Sequence, residues 1–175
     1  VISVPLTVLP DGAAWWISLA VTGTFLFFVF IAEYIVVDPG APFYATSMAG
    51  LTAISYTLFF ILAVALRFSD ARLFWVAPGL FLAASLASLR IMHLRLGGKW
   101  EFAWALGIAF ICVQIASALH YWPLTPVQFG LMLTGPLYAL TNLAINLSED
   151  LPTRRAALEP TMVIAVCWGL AIFIR

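Results

Sequence analysis

Charge is what this sequence has least of. Eight basic and eight acidic side chains make up 9% of its 175 residues, against about 25% in a soluble domain. The shortage excludes a water-soluble fold, because most residues of a small domain touch solvent and 64% of these are hydrophobic. A net charge of zero also excludes the basic face that nucleic acid requires. Cysteine is nearly absent. Cys112 and Cys167 fall inside apolar segments, without the spacing of a metal site or a redox motif, and both read as small buried hydrophobes. There is no HExxH motif, no glycine-rich phosphate loop, and no serine or cysteine with a base and an acid nearby. The polar links between apolar segments are too short to hold a site of their own. No enzyme, no catalytic residue and no metal is expected.

What the chain has instead is a succession of six apolar segments, at residues 15–37, 43–66, 73–94, 102–122, 125–147 and 156–174. About 20 residues of helix cross the hydrocarbon of a bilayer. The expected fold is therefore all-α, an integral membrane bundle of about six transmembrane helices in one domain, residues 1–175. The breaks carry turn chemistry. Asp38-Pro39-Gly40-Ala41-Pro42 reads as a tight turn, Asp70 as the N-cap of the third helix, and Gly97-Gly98 as its C-terminal stop. Ser148-Glu149-Asp150-Leu151-Pro152-Thr153-Arg154-Arg155 is the longest polar link. Glu159-Pro160 falls in the first turn of the sixth helix, where proline's missing N–H costs nothing. Short links make successive helices antiparallel neighbours.

Loop charge sets an orientation. Arg90, Arg95, Lys99, Arg154 and Arg155 lie on one side, and Arg67, Arg72 and Arg175 on the other. The bias places both termini outside the cytoplasm. Shifting the sequence by half its length pairs Tyr34 with Tyr121 and Pro39 with Pro126 but little else, so no inverted repeat of the transporter kind is expected.

Within the apolar segments the exceptions are few. On the fifth, Gly135, Tyr138, Asn142, Asn146 and Glu149 share a stripe at helical spacing. Pro136 should kink that helix and free backbone carbonyls. With Glu33 and Gln114, the residues Tyr138, Asn142 and Asn146 are the candidates for a polar intramembrane site, either as hydrogen-bonding glue between helices or as a cavity for a substrate or quinone head group. Arg90, His93, Arg95 and Lys99 are grouped to meet lipid head groups. His120 is the candidate ligand for a haem or a chlorophyll-type pigment. His93 and His120 end different helices on opposite sides, so they cannot clasp one haem. Small residues form contact stripes that let another backbone approach: Ala45, Ala49, Ala53 and Thr57 on the second helix, Ala83 and Ala87 on the third.

The stretch His120-Tyr121-Trp122-Pro123-Leu124-Thr125-Pro126, with Gly135-Pro136-Leu137-Tyr138 and the run from Arg154-Arg155 to Pro160, resembles an uncharacterised family of small polytopic bacterial membrane proteins with members in phototrophic bacteria. The resemblance covers the last third of the chain. It implies a multi-pass protein of a bacterial inner (cytoplasmic) membrane and carries no activity.

The leading expectation is a non-catalytic accessory or structural subunit of a larger, energy-converting membrane complex, photosynthetic or respiratory. Its partners would be membrane lipids and other integral membrane subunits. The alternatives are a small transporter or channel with a polar path through helices one, four and five, and a pigment- or haem-binding membrane protein.

Overall fold

The computed structural model describes residues 13–38, 40, 42–149 and 152–174. They form six helices: α1 (Ala13–Val36), α2 (Tyr44–Phe68), α3 (Leu73–Arg95), α4 (Phe102–His120), α5 (Pro126–Ser148) and α6 (Thr153–Phe173). Among the described residues there is no strand. All but α5 are long and apolar enough to cross a membrane. The sequence reading had six such spans. α5 falls short because it is the polar helix, carrying Gln128, Thr134, Thr141, Asn142 and Asn146 within its length. Pro39, Ala41, Asp150, Leu151 and Arg175, assigned above to turns and the last loop charge, lie outside the described residues.

Two local expectations are corrected. Asp70 does not cap α3. It sits at φ 48° in the turn, a left-handed conformation that aspartate tolerates, and the N-cap residue is Arg72, with no side-chain cap bond. α6 begins at Thr153 rather than 156, because the Pro152 carbonyl accepts from the N–H groups of Arg155 and Ala156 and starts the helix early. Glu159-Pro160 is therefore in the second turn, and Pro160 is inside the helix. The glycine stop of α3 is as expected. Gly97 and Gly98 have φ of 64° and 88°, and the Gly98 N–H reaches back to the His93 carbonyl at 2.9 Å, closing the end of the helix.

The chain divides into two compact units, Val1–Ala53 and Ile54–Arg175, with the boundary inside α2. In the first, α1 is apolar all round, and Trp16, Phe27, Phe28 and Phe30 are among its exposed side chains. A helix of that kind suits a nonpolar surrounding rather than a polar solvent. Its Thr24 hydroxyl donates to the Ala20 carbonyl at 2.8 Å. In the turn after α1 the Asp38 carboxylate accepts from the Gly40 N–H at 2.9 Å.

The second unit holds the core. Its two helical hairpins are α3–α4 and α5–α6, and α5 touches α3, α4 and α6. The α3–α4 seam follows from sequence spacing. Val76, Leu80, Ala84, Ser88 and Ile91 recur every three or four residues on α3, and Ala105, Ala109, Cys112 and Ala116 do so on α4. Small residues on α4 let the two backbones close up, and Ser88 satisfies its own hydroxyl on the Ala84 carbonyl at 2.7 Å. Ala83 and Ala87 are half-buried beside this seam. Phe129, Leu133, Leu137 and Ile145 of α5 complete the core, with Phe59 and Ala63 from the end of α2.

Candidate functional site

The site is organised by α5, and α5 is organised by its start. Thr125 and Gln128 form a capping box: the Thr125 Oγ1 accepts from the Gln128 N–H, and the Gln128 Oε1 accepts from the Thr125 N–H at 2.8 Å. The same glutamine has its Nε2 left to donate, and gives it to the Ala171 and Ile174 carbonyls at 2.9 and 2.7 Å. One side chain thus caps the start of α5 and the end of α6, where helical carbonyls lack partners.

Further along, each of the two helices is interrupted by a proline, and each proline's orphaned carbonyl is taken by the other helix. Pro136 has no N–H for the carbonyl four residues back, which is that of Met132. The Trp168 indole Nε1 of α6 donates to it at 3.2 Å. Pro160 likewise frees the Ala156 carbonyl, and the Asn146 Nδ2 of α5 donates to it at 3.2 Å. This exchange makes a prediction. Trp168→Phe should destabilise the protein by about 1–3 kcal/mol, the cost of an unsatisfied buried carbonyl. In a Pro136→Ala background, where a backbone N–H returns to Met132, the same change should cost clearly less. Equal costs in the two backgrounds, measured by unfolding in detergent, would show that the indole bond does not replace the missing one.

Between these two joints lies the polar cluster. The Arg95 Nη1, from the end of α3, donates to the Asn142 Oδ1 at 2.7 Å. The Asn142 Nδ2 donates to the Tyr138 carbonyl at 3.0 Å, and the Asn142 side chain is only 4% exposed. The Tyr138 hydroxyl donates to the Glu159 Oε1 of α6 at 2.8 Å, with Arg95 within electrostatic reach of the same hydroxyl. The Tyr56 ring of α2 packs on that of Tyr138, centroids 5.3 Å apart. Its hydroxyl is shut in beside Thr141 and Asn142 without reaching hydrogen-bond geometry to any described residue. The arrangement links one cation, one carboxylate and two phenols through an asparagine. Its charged ends, Arg95 and Glu159, are exposed, while the buried Asn142 between them ties together the helices that carry them.

Of the residues singled out in the sequence, the structure joins Tyr138 and Asn142 directly and turns Asn146 onto α6. Gln114 is exposed on α4, outside the cluster. Glu33 belongs to the first unit. Arg95 is exposed at the end of α3 and gives its Nη1 to Asn142. Lys99 is exposed. His93 stacks on Trp100 at 4.0 Å, with its Nδ1 buried and unbonded, and Arg90 is half-buried. His120 ends α4, and its carbonyl accepts from the Arg67 Nη1 at 2.9 Å. Ala45, Ala49, Ala53 and Thr57 are exposed. Sequence reading passed over Gln128, Tyr56, Trp168 and Glu159 as site residues. A Thr-x-x-Gln pattern at 125–128 signals the first, while nothing local signals the other three.

The chain belongs to a family described as a protein of unknown function, DUF5656, whose model matches residues 1–174. No curated protein and no solved structure matches it.

Proposed function

We propose that the chain is an integral membrane protein of a bacterial cytoplasmic membrane, with both termini on the outer side, and that it serves as a non-catalytic subunit of a larger membrane complex. The observation that carries this reading is the exposed face of α2. Ala45, Ala49 and Ala53, with Thr46 and Gly50 alongside, turn a strip of small side chains outward. In lipid there is no hydrophobic drive between helices, so association depends on close packing, and such a strip is where another backbone can come closest. The polar side chains of the cluster, Arg95, Asn142, Tyr138 and Glu159, are by contrast bonded across α3, α5 and α6. Beyond them, towards the start of α5, the core includes Leu80, Cys112, Phe129 and Leu133, and the buried Gln128 there spends its side chain on the ends of α5 and α6, which favours a structural role over a transport path. A pigment on His120 has little support either. The cavity its residue lines is about 220 Å³, below the roughly 300–1,000 Å³ of ordinary small-molecule pockets.

The test is purification from native membranes in mild detergent. The wild-type chain should elute with other membrane proteins, and an Ala49→Leu/Ala53→Leu variant should elute alone while keeping its unfolding midpoint. A cysteine placed at Gly98 should be shielded from an impermeant reagent added to intact cells. A wild-type monomer that drives substrate flux in liposomes overturns the subunit reading.

A further inference from the structure

At the end of the second unit where α2 passes to α3 and α4 passes to α5, an open cavity of about 220 Å³ is lined by Arg67, Asp70, Arg72 and His120 over a floor that includes Val76 and Phe129. That is roughly seven water molecules' worth of space, enough for a polar head group and too little for a ring system. Arg67 is fixed in place. Its Nη1 donates to the His120 carbonyl at 2.9 Å and its Nη2 to the Trp122 carbonyl at 3.1 Å, with the guanidinium over the Phe129 ring, 5.7 Å from its centroid. Two of its donors hold the α4–α5 turn, and the others remain for a ligand. Arg72 and Asp70 are exposed on the short turn that forms the rim.

We infer that this cavity is a seat for the head group of a zwitterionic phospholipid of the phosphoethanolamine kind. Two guanidiniums match the planar, bidentate demand of a phosphate. The Asp70 carboxylate on the same rim repels a purely anionic head group and pairs with an ammonium. The apolar floor meets the glycerol end. The cavity opens at a helix end, which in a membrane is head-group level, so the inference rests on the membrane reading above.

The test uses the full chain, stripped of lipid in detergent and then offered mixed micelles of equal phosphatidylethanolamine and phosphatidylglycerol, with retained lipid weighed by native mass spectrometry. The wild type should keep phosphatidylethanolamine in preference. Arg72→Ala should weaken retention about tenfold, the worth of one charge-assisted hydrogen bond. Asp70→Asn should keep the affinity and lose the preference. Both side chains are on the exposed rim, and circular dichroism checks that each variant is folded. Unchanged retention in Arg72→Ala overturns the site, as does a wild-type preference for phosphatidylglycerol. Displacement of the lipid by millimolar inorganic phosphate alone would make it a free-phosphate site instead. If the chain does not sediment with membranes at all, the membrane reading fails first, and separately.

Discussion

Replacing Gly135 with alanine should lower the stability of the protein by about 1–3 kcal/mol, the range for overpacking a close contact. A Cβ at this position would lie 2.9 Å from the Cys167 Cβ and 3.8 Å from the Ile164 Cα. Those are atoms tied to the backbone of α6, so no rotamer change relieves the clash and the two helices must part. Parting them also stretches the bonds from Trp168 to Met132 and from Asn146 to Ala156. Gly107→Ala is the control. A Cβ there meets nothing within 4 Å, and alanine in a helix interior gains about 0.5–1 kcal/mol over glycine. Unfolding midpoints in mild detergent should therefore move in opposite directions. Adding Cys167→Gly should rescue Gly135→Ala, and adding Cys167→Ala, which keeps the Cβ, should not. Equal shifts for Gly107 and Gly135 would sink the close-approach argument.

Asn142→Leu should be the most damaging single polar change, costing about 1–3 kcal/mol because it removes the buried acceptor that Arg95 donates to. It also removes the donor to the Tyr138 carbonyl. Leucine is bulkier than asparagine in this buried position, so overpacking adds to the loss of the single change. The diagnostic is the pair. In Arg95→Met the guanidinium is gone, and adding Asn142→Leu should cost less than it does alone, with a coupling of about 0.5–3 kcal/mol between contacting residues. Strict additivity in this cycle would mean that Arg95 does not depend on Asn142.

How far the sequence could anticipate this varies with the kind of information involved. Apolar length and the turn residues at Asp38, Gly97-Gly98 and Pro123 suffice to mark six helices, since both signals are local. The stripe of Tyr138, Asn142 and Asn146 marks α5 as the helix that others must surround, because such side chains are costly to leave unsatisfied. The partners were not legible. Which way Arg95 points depends on α5 lying beside the end of α3, and no spacing along one helix encodes that. Glu159 reads along the chain only as a first-turn acid beside Pro160, and nothing on α6 encodes that α5 brings the Tyr138 hydroxyl to it. Asp70 reads as a cap on residue type alone, whereas the turn holds it in a left-handed backbone.

The prolines of α5 and α6 bear on movement. A proline in a helix is commonly a place to bend, since one hydrogen bond is missing there. Here the missing bond is supplied from the neighbouring helix in both cases, at sites 14 residues apart along α5, Met132 and Asn146. Sliding α6 along α5 by a single residue, about 1.5 Å, would pull both donors off their carbonyls together. The pair thus has one register, like two rulers pinned at two points, and shear between these helices is closed to it. Any working motion of the protein has to pass through the other helices, with α5 and α6 moving as one body.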